Sequence, residues 1–164
     1  MNEADNKMAE VRVFRPTCKA LIIKNGKLLT IRKLDTDGTY NFLPGGGQVW
    51  GETLVTTLRR ECKEEINADQ IKIGKLLFIR ESYKKKEGIT DGCYYHKVEY
   101  IFECDIRDSE IKNGSNPDFG QIGIEWLDLD NIMHSEFYPK GLKPYIRDFY
   151  NHKNYESVYL GEVD

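Results

Sequence analysis

No run in the chain approaches the roughly 18 to 20 consecutive apolar residues that cross a bilayer as a helix. A secretory leader is not expected either, since Met1 to Glu10 carries acids where an apolar h-region would stand. That segment, residues 1–10, reads as a short disordered tail, and residues 11–164 read as one domain with the cytoplasm as its expected location. Nor is there a surplus of positive charge. Net charge is −3, whereas nucleic-acid binders carry cations that displace counterions from phosphates. Neither a nucleic acid nor a membrane is therefore expected as a partner. Lys84-Lys85-Lys86 is the local exception, read first as a solvated loop and second as a patch that attracts phosphate. The four cysteines, Cys18, Cys62, Cys93 and Cys104, form no C-x-x-C pair, and only Cys93 and His96 are closely spaced. A zinc site needs a second such pair, so reduced, partly buried thiols are the expectation. Internal repeats and low-complexity segments are missing as well.

What remains is the composition of a globular protein, 40% hydrophobic and 31% charged, with enough apolar residues to build a core. Residues 17–34 predict a β-hairpin, because two β-rich runs flank Asn25-Gly26, a pair suited to the positive φ angles of a tight turn. Asp35 to Gly38 reads as a loop and Tyr40 to Leu43 as a short strand, stopped by Pro44 and the glycines 45–47. Thr53 to Ile66 predicts a helix, with Val55, Leu58, Cys62 and Ile66 as its apolar stripe and Asn67 as its left-handed terminator. A strand over Ile71–Tyr83 and a polar loop from Lys84 to Gly92 follow. Val98, Tyr100, Phe102, Cys104 and Ile106 then alternate with Lys97, Glu99, Glu103 and Asp105, which predicts a strand with one buried face. A loop over 107–120, a strand over Ile122–Leu127 and an amphipathic helix around Leu142, Tyr145, Ile146 and Phe149 complete the pattern.

The chemistry is concentrated between Gly46 and Ala68. Glu61, Glu64 and Glu65 stand at i, i+3 and i+4, which brings three carboxylates onto one turn of one helix. Arg60 can pair with Glu64, but one arginine does not neutralise three acids. Hard oxygen donors suit a hard cation such as Mg2+, which binds carboxylates, waters and phosphate oxygens. Glu52 lies just ahead of the helix, and Gly45-Gly46-Gly47 lets backbone approach a metal or phosphate closely. Taken as a helix alone, the acidic face could be solvated surface. The glycine loop and Glu52 at fixed spacing argue for metal-assisted attack on a diphosphate.

Gly46, five residues, Glu52, seven residues, then Arg60-Glu61-Cys62-Lys63-Glu64-Glu65 resembles the signature of the Nudix hydrolases, the MutT-like nucleoside diphosphate-X hydrolases. Leu43-Pro44-Gly45, the Gly26-Lys27-Leu28-Leu29 pattern and Trp126 extend the likeness over roughly Arg15 to Phe149. The family's late glycine is Asn67 here and its aliphatic position is Cys62, and neither change removes a ligand. The resemblance implies an α/β Nudix fold, a mixed β-sheet sandwiched between α-helices. It implies two or three Mg2+ ions, with Mn2+ as substitute, held by Glu61, Glu64, Glu65 and the Gly46 carbonyl. One glutamate would be the general base, Arg60 would orient the set, and Glu52 would support the box. Arg32, Gly45 and Gly46 are the expected substrate contacts, and Asp118 or else Glu99 the expected extra acid. Tyr40, Phe42, Tyr94, Tyr95 and Tyr100 could stack a base, although sheet packing is the plainer role. For His96 a cross-strand hydrogen bond is the plain expectation. The implied reaction is cleavage of a nucleoside diphosphate-X, an ADP-ribose-like molecule or a nucleoside triphosphate, by water attack on phosphorus. A catalytically silent nucleotide-binding or sensor module is the alternative, and the intact glutamates argue against it. RNA 5′-end processing lacks the basic surface it would need, and a homodimer stays open.

Overall fold

The computed structural model describes residues 11–85, 93–107, 109–152 and 157–164. The expected tail, residues 1–10, and Lys86 to Gly92 lie outside them. Strands β1 (Val11–Lys24), β2 (Lys27–Asp35) and β3 (Gly38–Phe42) precede helix α1 (Leu54–Ile66). Then come β4 (Lys72–Lys85), β5 (Cys93–Asp105), β6 (Gln121–Asp128), helix α2 (Lys143–Tyr150) and β7 (Tyr159–Glu162). Short 3-10 turns at Leu129–His134 and Lys140–Leu142 lead into α2. Among the described residues no helix is long and apolar enough to cross a membrane.

The sheet runs β3-β2-β1-β5-β4-β7, with β6 on the other edge of β2. Its geometry turns on β1. Along most of its length β1 pairs in parallel with β5, from Val11↔Cys93 to Ile22↔Cys104. It pairs with β2 only at the hairpin tip, Ile23↔Leu28 and Lys24↔Lys27, where Asn25 (φ 51°) and Gly26 (φ 73°) make the expected turn. Below the tip β2 diverges, and the segment after β3 takes the vacated edge. Ala20 N–H donates to Pro44 O, Cys18 N–H to Gly46 O and Gln48 N–H to Pro16 O, each at 2.9 Å. The sheet therefore splits around the glycine loop, and a cleft opens between its halves.

Alternation along β1 sends Cys18, Ala20 and Ile22 into one core with Leu58, Cys62 and Ile66 of α1. Leu21 enters a second core with Phe78, Ile101, Phe137 and Ile146 on the face covered by α2. Helices thus cover both faces of a mixed sheet, as expected. Three details differ from the sequence reading. Val55 is exposed at 41%, and Leu54 packs on the core instead, because Leu54, Leu58, Cys62 and Ile66 form the inner stripe once the helix starts at Leu54. Strand β5 is buried on both faces: Ile101 and Glu99 lie at 0% and 8% exposure opposite the Phe102 and Cys104 side, since Ile101 packs in the core under α2 and Cys104 in the core under α1. Strand β4 continues through Lys85, so the expected loop begins later than Lys84. Cys18, Cys62 and Cys104 are free and buried.

Candidate active site

Helix α1 starts where Thr53 caps it, its hydroxyl accepting from Thr56 N–H at 3.1 Å, and ends at Asn67 in the left-handed conformation, φ 58°. These ends fix which way the glutamates point. Glu61 and Glu65 turn inward, 8% and 1% exposed, while Glu64 is half-buried. Arg60 organises the acids. Its Nε and Nη2 donate to the two Glu52 oxygens at 2.8 and 3.1 Å, Nη1 donates to Glu61 at 2.6 Å and Glu64 at 3.2 Å, and Nη2 also reaches Gly47 O at 3.1 Å. One arginine therefore holds Glu52, Glu61 and Glu64, the Glu64 pairing read from helix spacing and the orienting contacts that the resemblance implied. Arg60 beside Glu52 holds that carboxyl down to about 2, and the arginine itself is raised by the same contacts. Thr57 Oγ1 donates to Glu52 at 2.8 Å, tying the loop to the first helical turn.

The glycines are needed for space. Gly45 has φ 121°, and a Cβ there would stand 2.1 Å from Cys18 O. A Cβ on Gly46 would stand 2.5 Å from the Glu61 carboxylate. Gly45 N–H donates to Glu65 Oε2 at 2.6 Å. Burial pushes the Glu65 carboxyl up to about 7, against the Lys19 ammonium and the Gly45 N–H, which pull it down. The Lys19 ammonium donates to Gly45 O. The donors fit a hard divalent cation in kind: three carboxylates and the Gly46 carbonyl, in a cradle that a side chain at Gly46 would fill. Among the described residues no three acids stand together as a ready ligand cluster, because Arg60 engages Glu61 and Glu64 while Glu65 is bonded to the loop.

Beside this loop lies the cleft, about 740 Å³, with Arg15, Lys19, Lys33, Glu65, Glu99 and Asp118 among its lining. Asp118 is bonded to Lys33 at 2.7 Å. Burial raises the Asp118 carboxyl, but Lys33 more than offsets this and holds it below the usual carboxylate range. Its charge acts on Glu65, so it belongs to the glutamate end of the cleft. Glu99 also lines the cleft, but Arg80 Nε holds it at 2.6 Å. Arg32 is not brought to the cleft. It lies one position from Lys33, on the opposite face of β2, half-exposed and 3.9 Å from Glu125. Tyr40 and Phe42 reach the cleft, whereas Tyr94, Tyr95 and Tyr100 do not line it. His96 is bonded to Glu81 across β4 and β5, the plain role expected of it.

Sequence reasoning missed Arg15, Lys19 and Arg80. Arg15, Thr17 and Lys19 alternate on β1 with Pro16, Cys18 and Ala20, a polar stripe that could have been noticed. Arg80 follows directly on the apolar stretch Leu76-Leu77-Phe78-Ile79.

A split sheet that clamps a glycine loop against an arginine-bound glutamate helix defines a site for cleaving phosphoanhydrides. Residues 13–149 match the NUDIX domain family, and the chain belongs to the Nudix hydrolase family. That family acts on small nucleotide substrates and generally uses divalent metal ions. Among solved structures, the chain is similar to a MutT protein from Methanosarcina mazei Go1, with a TM-score of 0.65 at 19% identity over 89% of this chain and 99% of that one. An ADP-ribose pyrophosphatase from Streptococcus suis 89-1591 aligns with a TM-score of 0.56 and 17% identity over 92% and 98%. A UDP-X diphosphatase aligns with a TM-score of 0.61 and 16% identity over 94% and 70%. At these identities the likenesses speak to the fold. No curated protein matches the chain.

Proposed function

We propose that this protein is a Mg2+-dependent hydrolase of a nucleoside diphosphate-X, cleaving its diphosphate linkage by water attack on phosphorus. The observation that carries the reading is the complete glutamate set: Glu61 and Glu65 buried against the glycine loop, and Glu64 beside them, with Arg60 bonding Glu61 and Glu64. Glu61, Glu64, Glu65 and the Gly46 carbonyl would hold the cations. Bound there, divalent cations offset phosphate charge and lower the pKa of the attacking water. Arg60 keeps Glu61 and Glu64 oriented and ties them to Glu52. A glutamate of the set takes the proton that the water loses. Arg15 and Lys19 sit where the cleft meets the glycine loop and would receive the phosphate oxygens. They take the role that the sequence assigned to Arg32. Asp118 is the better placed of the two candidate acids.

Nucleoside diphosphate sugars of the ADP-ribose kind and nucleoside triphosphates both suit a cleft of this size and charge. The likeness to proteins named ADP-ribose pyrophosphatase and UDP-X diphosphatase supports the first class. The test is a nucleotide panel assayed for phosphate-containing products with and without Mg2+. Cleavage of at least one diphosphate-linked nucleotide, abolished by chelation, is expected. Nucleotide binding without Mg2+-dependent cleavage of any member would favour the silent sensor instead.

A further inference from the structure

The floor of the cleft has an order that the strand register makes explicit. Gly47 bridges Thr17 on β1, Thr17 pairs with Glu99 on β5, and Glu99 pairs with Arg80 on β4. Neighbouring strands lie about 4.8 Å apart, so Glu99 stands about 10 Å from the glycine loop on the floor of the same cleft. Two strand spacings thus separate the Glu99 backbone from the glycine loop, about the length of a nucleoside.

Arg80 and Glu99 are 6% and 8% exposed. Burying an ion pair costs desolvation that packed apolar side chains would avoid, so its place in a cleft wall asks for a use. Arg80 is already committed, its Nε to Glu99 Oε2 at 2.6 Å and its Nη1 to the Val163 carbonyl at 2.5 Å. Only Oε2 of Glu99 accepts a hydrogen bond among the described residues, which leaves Oε1 as an acceptor held in a fixed orientation. That oxygen is open to the cleft, where a ligand's N–H or O–H donor can take the place of water.

The wall opposite suggests which. Tyr40, Phe42 and Tyr138 line the cleft as a ring cluster, with centroids 4.8 Å apart for Tyr40 and Phe42 and 5.7 Å for Tyr40 and Tyr138. Lys33 lies over the Phe42 ring at 5.9 Å and Lys140 over the Tyr138 ring at 5.0 Å, and the faces that remain can stack a flat heterocycle. We infer that Arg80 and Glu99 read the edge of the substrate's nucleobase, with Glu99 accepting from an exocyclic amino group while Arg80 fixes the carboxylate. The site then takes adenine or cytosine over hypoxanthine or uracil, in which a carbonyl stands where the amine would be. This inference rests on the diphosphate end lying at the glycine loop, as proposed above.

Uncleavable α,β-methylene analogues of ATP, ITP, CTP and UTP test it by calorimetry, independently of turnover. The amino member of each pair, ATP over ITP and CTP over UTP, should bind at least tenfold more tightly, because a carbonyl facing a buried carboxylate leaves both acceptors unpaired. Glu99→Gln, whose amide can also donate, should bring each pair within about threefold. Equal binding within both pairs would overturn the inference, as would a preference that survives in Glu99→Gln. Should Glu99→Gln fail to fold, the wild-type comparison still decides. The natural nucleotides separate the two readings. Cleavage of both members at equal rates would sink base reading and leave the hydrolase standing, while selective binding without any cleavage would do the reverse.

Discussion

At the scale of single residues, Arg60 does most to shape the site. It takes up Glu52, Glu61 and Glu64, which would otherwise repel one another where the loop meets the helix, and it bonds the glycine loop at Gly47 O as well. Glu64→Gln or Glu65→Gln should lower kcat by about a hundredfold or more while the protein stays folded, as loss of a ligand to catalytic metal would predict. Steady-state rates at saturating Mg2+, with circular dichroism as the folding control, check this, and near-normal kcat in both would remove these carboxylates from the chemistry. The Glu52–Arg60 pair makes a different prediction. Glu52 is held down at about 2 against an ordinary value of 4.5, so its contribution to stability is complete above about 4.5 and is lost as pH falls toward 2. The stability deficit of Glu52→Gln relative to wild type, read from urea unfolding, should therefore be largest near neutral pH and shrink across that interval. A deficit that stayed constant with pH would show that charge is not what Glu52 contributes. The glutamates, Arg60 and the glycines were legible in the sequence because their relation is local, set by helix period and short spacing. Lys19, Arg80 and the withdrawal of Arg32 were not, since they depend on which strands pair and which face of each looks into the cleft.

At the scale of elements, helix α1 is fastened at both ends and pinned along its inner stripe. Thr53→Ala should cost about 1 kcal/mol by removing the cap on Thr56 N–H, whereas Leu58→Ala should cost about 2 to 5 kcal/mol by opening a cavity in a fully buried place. Urea denaturation measures both, and a Leu58→Ala loss no larger than that of Thr53→Ala would mean the helix is not held by its apolar face. Gly45→Ala should be worse than its size suggests, because the new methyl would meet backbone at Cys18 O, which cannot turn aside. The turn at Asn25-Gly26, α1 with both its ends, and α2 follow from patterns that sequence carries openly. The hairpin expected over 17–34 pairs only at its tip, because β1 takes β5 as its partner. The burial of β5 on both faces does not follow from such patterns either. Its two faces are covered by α1 and by the segment around α2, which come from distant parts of the chain, and a strand's second face is decided by what the rest of the fold lays upon it.

For the molecule as a whole, a cation that binds the native glutamates and not the unfolded chain must stabilise the fold. Mg2+ should raise Tm, and the gain should shrink in Glu61→Gln. A melting curve indifferent to Mg2+ would count against a native metal site. The central claim is the bond that water attacks, and turnover in oxygen-18 water tests it most directly. Glu65, the glycine loop and Lys19 line the cleft together, and Arg60 ties Glu61 and Glu64 to the same loop. Displacement at phosphorus puts the label into a phosphate-containing product, with none on a sugar carbon and no phosphoryl group trapped on the protein. Mass analysis of both products should show that distribution, and label on a sugar carbon, or a phosphorylated enzyme, would contradict the mechanism.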